Sequence, residues 1–187
     1  MITKVYLIRH AESAPDKCLP EPEWPLSDTG REQSLRLITS LRSLKISKLY
    51  SSPFPRAIDT IKPYANEAGL EIKLVDDFRE RKLTEGMVDD FLSILSQAWM
   101  DFDFKMPNCE SSIECQQRFV QAFDKVVQES DGDTIAIASH GNAIGLFLNS
   151  LKSSFGFENW KAIKNPDIFK IEVDNNTSKW IQSFEFG

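Results

Sequence analysis

The chain has two histidines, and each closes an apolar run. His10 follows Val5-Tyr6-Leu7-Ile8-Arg9, and His140 follows Thr134-Ile135-Ala136-Ile137-Ala138-Ser139. A neutral imidazole is a nucleophile when its other ring nitrogen is held by a hydrogen bond. The guanidinium of Arg9, beside His10, can grip a phosphate or carboxylate through a forked pair of hydrogen bonds. Arg56 lies in Ser51-Ser52-Pro53-Phe54-Pro55-Arg56, in the first turn of a predicted helix. A helix N-terminus and an arginine together favour an anion. In Ser139-His140-Gly141-Asn142 the glycine lets backbone approach a ligand, and the N–H groups opening the next helix can donate to it. Glu80, within Phe78-Arg79-Glu80-Arg81-Lys82, is a candidate acid for a leaving oxygen. Each residue also has an ordinary reading, as a solvated strand end, a surface arginine or one charge in a solvated run. For Arg56 and Glu80 taken alone the ordinary reading is the better one.

The elements that must position these residues follow from periodicity. The runs before His10 and His140 read as strands buried on both faces of a parallel sheet. The carboxyl ends of such strands are where open α/β sheets keep their ligand crevice. Residues 14–25 hold Pro15, Pro20, Pro22 and Pro25 and form a loop beside the site. Thr29-x-x-Glu32 spells a capping box, and Leu35, Ile38 and Leu41 give the helix that follows its apolar face. Residues 46–50 predict a second strand. Pro55 suits the first turn of the next helix, whose inward face carries Ala57, Ile58, Ile61, Ala65 and Ala68. Gly69 stops that helix, and Pro63 is expected to kink it.

A third strand is predicted over 72–75, a charged loop over 76–86, and a helix over 88–100 carrying Phe91, Leu92, Leu95 and Trp99. Ser111-x-x-Glu114 is a second capping box, ahead of a long helix with Phe119, Val120, Phe123, Val126 and Val127 inward. Asp131-Gly132-Asp133 turns the chain into the strand that ends at His140, and a short helix follows over 143–151. Residues 168–173 and 180–186 alternate like strands, with Asp174-Asn175-Asn176 as a hairpin turn. This order predicts an α/β fold, a three-layer α/β/α sandwich around a mainly parallel sheet. No repeat or linker divides the chain. The expectation is one domain over 1–187, with 76–110 as a cap or insert over the site.

With 187 residues the chain is long enough for a sizeable core. A net charge of -6 disfavours a general nucleic-acid surface, so an anionic substrate needs a local basic pocket. Cys18, Cys109 and Cys115 are odd in number and lack C-x-x-C spacing, which favours a reducing compartment. Two histidines and scattered thiols support no zinc site. The first apolar run breaks at Arg9, unlike a signal peptide, and no stretch has the length of a membrane span. The expectation is a cytoplasmic protein with no metal, no cofactor, and neither a nucleic-acid nor a membrane partner. The sequence sets no oligomeric state.

Together the motifs resemble those of the histidine phosphatase superfamily, the phosphoglycerate mutase-like proteins, from Val5 to the end of the helix after His140. Leu7-Ile8-Arg9-His10-Ala11-Glu12-Ser13 resembles the family's Arg-His-Gly motif, with alanine in place of the glycine. Pro25-Leu26-Ser27-Asp28-Thr29-Gly30-Arg31-Glu32-Gln33 resembles the start of its first helix. Ser51-Ser52-Pro53 with Arg56, Ala57 and Thr60 resembles its second arginine motif. Cys109-Glu110-Ser111 followed by Glu114 and Arg118 resembles its Gly-Glu-Ser helix start. Ser139-His140-Gly141 resembles its second histidine motif.

The resemblance implies a phosphoglycerate mutase-like fold and a metal-independent phosphatase acting on small phosphorylated substrates. His10 would attack phosphorus and become phosphohistidine. Arg9, Arg56 and His140 would hold the phosphoryl oxygens, with Ser13 and Gly141 completing the phosphate-binding set. Glu80 stands where the family places its acid, and Glu85 is the reserve. The segment 80–86 lacks both the Arg-His-Tyr-Gly stretch of cofactor-dependent mutases and the tryptophan-glutamate-glycine ending of many phosphatases. A mutase and a weakly active phosphate-binding regulatory module are the alternatives. Trp24, Phe91, Trp99, Phe102 and Phe104 could line a hydrophobic substrate site, although such spacing more often means core.

Overall fold

The computed structural model describes residues 1–174 and 177–184. In chain order the strands are β1 (Thr3–Arg9), β2 (Lys48–Ser51), β3 (Ile72–Leu74), β4 (Thr134–Ser139), β5 (Asp167–Asp174) and β6 (Thr177–Phe184). The helices are α1 (Asp28–Ser43), α2 (Pro55–Ala68), α3 (Phe91–Met100), α4 (Ser112–Gln128), α5 (Gly141–Leu151) and α6 (Phe157–Lys161). The strands form one sheet in the order β3-β2-β4-β1-β5-β6. The first four are mutually parallel, whereas β5 runs antiparallel to β1, and β6 to β5.

Successive side chains of β1 enter opposite layers, as the pleat requires. Val5 and Leu7 join Ile135, Ile137, Phe119, Phe123 and Phe147 on the α4–α5 face. Tyr6 and Ile8 join Ala136, Ala138, Leu37, Leu41, Ile61 and Tyr64 on the α1–α2 face. Burying a side chain the size of Leu or Phe contributes about 1.5–3 kcal/mol, so β1 is anchored from both sides. Register then sets the site. Arg9 pairs with Ser139 across β1 and β4, so the next residues, His10 and His140, emerge side by side. Ser51 pairs with Ala138 on the other edge of β4, which brings Ser52 to the same strand ends.

Several local expectations shift. The cap of α1 is Ser27, whose Oγ accepts from the Gly30 N–H at 2.9 Å; Thr29 lies inside the first turn. Leu35 is 59% exposed, and Leu37 takes its place in the core beside Leu41. The buried positions Ser34, Leu37 and Leu41 lie on one face, and at about 100° per residue Leu35 sits about 200° round the axis from Leu37. Helix α2 continues through Pro63 to Ala68. Pro63 has no N–H for the carbonyl of Asp59 four residues earlier. Ser34 Oγ, from α1, lies 2.9 Å from that carbonyl and 2.9 Å from Thr60 O, so its one hydrogen is shared between them.

Gly69 ends α2 in the left-handed region (φ 66°), and the Ser111–Glu114 capping box forms with both of its bonds. Helix α3 starts three residues late. Phe91 and Leu92 are exposed, while Leu95 and Trp99 pack inward. Helix α5 starts at Gly141, two residues early. Helix α6 and the 3-10 turns Glu21–Glu23 and Asp76–Phe78 have no counterpart in the sequence reading. The tip of the expected β5–β6 hairpin, Asn175-Asn176, and its end beyond Phe184 lie outside the described residues.

The N-terminus of α1 packs directly on the chain after His10. A Cβ at Gly30 would overlap the carbonyl oxygen of Glu12 and sit 3.2 Å from its nitrogen. That same carbonyl accepts the Ser27 N–H at 3.0 Å. Backbone cannot yield as a flexible side chain does. Gly30→Ala is therefore expected to cost at least the ~1–3 kcal/mol typical of overpacking. A lower urea midpoint at unchanged slope is the expected result; wild-type stability would contradict this packing.

Candidate active site

His10 is held by three bonds. Its N–H donates to Ser139 O at 3.0 Å, its carbonyl accepts from Asn165 Nδ2 at 2.8 Å, and its ring Nδ1 lies 2.7 Å from Ala11 O. A carbonyl only accepts, so Nδ1 carries the proton and Nε2 keeps a free lone pair. Burial first, then the Arg56 charge, lowers the His10 pKa to about 3. The ring is therefore neutral at ordinary pH. His140 is fully buried, and its Nε2 lies 2.7 Å from Ser52 Oγ. Burial followed by the Arg56 charge holds its pKa well below the usual histidine value. The two imidazoles meet edge to face with centroids 5.1 Å apart. Phe54 packs against His140 at 5.1 Å, and the Arg56 guanidinium lies over the Phe54 ring at 5.0 Å.

The two arginines converge from different elements. Arg9 Nη1 donates to Ile163 O at 2.5 Å, and its guanidinium lies against Gly141, where a Cβ would stand 3.1 Å from Cζ. The glycine thus makes room for Arg9. Burial lowers the Arg9 pKa, while Glu80 and Asp167 oppose that shift. Arg56 is 2% exposed in the first turn of α2. Its Nη1 donates to Glu21 O at 2.8 Å, and its Nη2 pairs with the Glu21 carboxylate. Thr60 ties this turn to the chain after His10, because its Oγ1 donates to Arg56 O at 2.7 Å and accepts the Ala11 N–H at 2.9 Å.

Glu80 caps α5. Its Oε1 accepts the N–H groups of Arg81 (2.8 Å) and Ala143 (3.0 Å), and its Oε2 accepts that of Asn142 (3.1 Å). The helix N–H groups that the sequence offered to a ligand are therefore partly taken by a carboxylate of the chain itself. The backbone beneath Glu80 is clamped by Arg118. That guanidinium grips both carboxylate oxygens of Glu110 at 2.6 and 2.8 Å, and also donates to the carbonyls of Asp77, Arg79 and Glu80. Ser139 Oγ adds a bond to Phe78 O at 2.7 Å. Glu85 lies on the surface, bonded to Lys82 at 3.0 Å, and that bond lowers its pKa. Ser13 bridges to Leu26 and closes the base of the 14–25 loop.

Among the described residues, Arg9 Nε, His140 Nδ1 and Asn142 Oδ1 are buried without a hydrogen bond. Such groups cost about 1–3 kcal/mol each unless partnered. Arg9 Nε is a donor and, beside the neutral His10 imidazole and a second guanidinium, suits a small oxyanion, whereas Asn142 Oδ1 can only accept. Among the described residues no group of three or more His, Cys, Asp or Glu side chains could hold a metal ion, and no helix is long and apolar enough to cross a membrane.

The sequence reading missed Glu21, Ser52 and Asn165. Ser52 at least stood at a strand end, but Glu21 lies in a proline-rich loop with no periodicity to orient it. Trp99, Phe102 and Phe104 belong to or pack on the core, and Phe91 faces solvent. Trp24 Nε1 donates to Asp16 O at 3.0 Å and stitches the 14–25 loop.

The family model of the histidine phosphatase superfamily (branch 1) matches residues 5–183. A probable phosphoglycerate mutase GpmB of Salmonella typhi is 27% identical over 96% of this chain and 88% of its own length. Bacillus stearothermophilus YhfR is 23% identical, covers 95% of both chains and superposes with a TM-score of 0.80. A phosphoserine phosphatase variant of Entamoeba histolytica, in complex with phosphoserine, is 19% identical with a TM-score of 0.80 over 97% of this chain and 96% of its own. The open sheet, with its histidine pair at adjacent strand ends, and the match over nearly the whole length agree: the chain belongs to the histidine phosphatase superfamily.

Proposed function

We propose that the protein is a phosphatase that hydrolyses phosphomonoesters through a phosphohistidine on His10. The observation that carries this reading is the 2.7 Å contact from His10 Nδ1 to Ala11 O, which leaves Nε2 unprotonated and able to act as a nucleophile. Nε2 attacks phosphorus and the ester P–O bond breaks. Arg9 and Arg56, with His140 and Gly141, hold the phosphoryl oxygens as charge shifts onto the leaving oxygen. That oxygen takes a proton from Glu80. Water then attacks phosphorus, its proton returns to the Glu80 carboxylate, the P–N bond breaks, and inorganic phosphate leaves. Donation by Glu80 requires that one of its oxygens first take up a proton, because both accept N–H groups in this arrangement. Ser13 acts indirectly, by holding the loop base.

The mutase reading has the names of the sequence relatives in its favour. A mutase also needs cations for the substrate carboxylate. The arginines after Glu80 are committed elsewhere: Arg81 to Glu110 O and Ser112 Oγ, Arg118 to Glu110. In our reading the chain works as one domain in the cytoplasm, with 76–110 covering the site, on small phosphorylated substrates, and without metal, cofactor, nucleic acid or membrane.

The test is phosphate release from a panel of phosphorylated metabolites, with and without chelator. Release is expected to be unchanged by chelator and strongly inhibited by vanadate, which can adopt the five-coordinate geometry of the transition state. Activity lost with chelator and restored by magnesium would contradict the proposal, as would transfer between two positions of phosphoglycerate without net release.

A further inference from the structure

Arg56 is bound twice by one residue of the 14–25 loop, and the two bonds differ in kind. Nη1 holds the backbone carbonyl of Glu21 at 2.8 Å, whereas Nη2 holds the Glu21 side-chain carboxylate. The first contact orients the guanidinium whatever side chain Glu21 carries. The second puts a carboxylate on the fork that a phosphate would use. Glu21 is 42% exposed on its side chain while that of Arg56 is 3% exposed, so the carboxylate enters from the mouth of the pocket. The loop that delivers it is fixed: Ala14 N–H donates to Pro25 O at 2.8 Å, and Trp24 Nε1 to Asp16 O at 3.0 Å.

The charges around this point do not balance once a phosphate arrives. Arg9 and Arg56 supply two positive charges. A phosphate dianion together with Glu21 supplies three negative ones, even with Glu80 carrying the proton it is to donate. Burial raises the pKa of Glu21, the Arg56 charge opposes that rise, and the Glu80 charge adds a smaller push upward. Glu80 is held by the N–H groups of Asn142 and Ala143 on α5 and by that of Arg81, but among the described residues the Glu21 carboxylate is held by Arg56 alone and is partly exposed. Glu21 is therefore the carboxylate that can leave. Swung off Arg56, it stays tethered through its backbone on the solvent side of the guanidinium.

Resting on the phosphatase reading, we propose that Glu21 is a built-in counter-ion of Arg56. Substrate phosphate displaces it to the mouth, where it selects leaving groups that are neutral or cationic over those carrying a second anion. This form of specificity works by repulsion: the wrong substrate is penalised by a like charge beside its own. The substrate class it names is phosphomonoesters of neutral alcohols and amino alcohols, in preference to phosphorylated carboxylic acids and bisphosphates.

The test is equilibrium binding by calorimetry in a His10→Ala background, which removes turnover. Inorganic phosphate, phosphoethanolamine, glycerol phosphate and phosphoglycerate are titrated into His10→Ala and into His10→Ala/Glu21→Gln. Glutamine keeps the size and the backbone anchor of Glu21 and removes only its charge. The expected result is that the second variant binds inorganic phosphate about 3- to 10-fold more tightly. The preference for phosphoethanolamine over phosphoglycerate should also shrink by at least that factor. An unchanged phosphate affinity overturns the proposal, and so does an unchanged ratio between those two esters. If the wild-type chain releases phosphate from none of the three esters, the phosphatase reading fails. These affinities would still decide the role of Glu21.

Discussion

His10→Ala should abolish phosphate release, with a loss on the order of 10⁴–10⁶-fold, as expected when a covalent nucleophile is removed. The size follows from how the ring is held. Its Nδ1 is tied to Ala11 O at 2.7 Å, and no other described residue offers a second imidazole with its bonds arranged for attack. His140 Nε2 is engaged by Ser52 at 2.7 Å, which suits it to a fixed role in the pocket. Wild-type enzyme denatured in alkali during turnover should carry phosphate on His10. Acid would hydrolyse the intermediate, so the alkaline route matters. Phosphate found on His140, on a serine or on a cysteine would move the nucleophile elsewhere.

The state of His10 also fixes a pH signature. A histidine whose pKa is lowered to about 3 is already neutral above that value. Lowering the pH through 6.5 therefore does not protonate the nucleophile of the free enzyme, and kcat/KM should keep no acid limb from this group. An inflection near pH 6 would belong to the second ionisation of the phosphate ester, which lies at about that value. Comparing two esters with different second ionisation constants separates the cases. The inflection should move with the ester; one that stays fixed would assign it to an enzyme group.

The sequence revealed what depends on strand ends and on cations. The apolar runs before His10 and His140 allowed both strands to be placed, and parallel pairing in register then brought the two histidines together. Pro55 marked the helix start beside Arg56, but only the resemblance set that residue apart from a surface arginine. Residues whose role depends on rotation about one bond, or on a loop without a period, were not legible. Leu35 and Leu37 are both leucines two positions apart, and only packing against α2 decides which faces in. The bond missing at Pro63 is local and so legible, while Ser34, which reaches the carbonyl left open, comes from another helix. Glu21 carries no sequence signal beyond its charge, since its partner lies 35 positions away. Glu80 could be placed only by resemblance. The chain around it is rich in charge, and what distinguishes Glu80 from Glu85 is tertiary: one caps α5, the other pairs with Lys82 on the surface.

Glu80→Gln should separate substrates by their leaving groups. An alkyl phosphate expels an alkoxide and needs a proton in the transition state, whereas a nitrophenyl phosphate expels a stabilised phenolate and needs little help. Loss of the acid should therefore slow alkyl phosphates by roughly the 10²–10⁴-fold typical of acid–base catalysis. Enzyme phosphorylation by nitrophenyl phosphate should slow far less. That step must be followed by itself in a single-turnover burst, because hydrolysis of phosphohistidine also uses Glu80. Glutamine can still accept through its one carbonyl oxygen, so at least one of the bonds from Asn142 and Ala143 can persist and α5 keeps a partial cap. Equal slowing of both esters would mean that Glu80 acts by holding the start of α5, and with it Gly141 and Arg9, rather than by giving a proton. If neither ester slows, the acid is another group. Glu21, the other carboxylate in the field of Arg56 and Glu80, is then the residue to compare by the same pair of substrates.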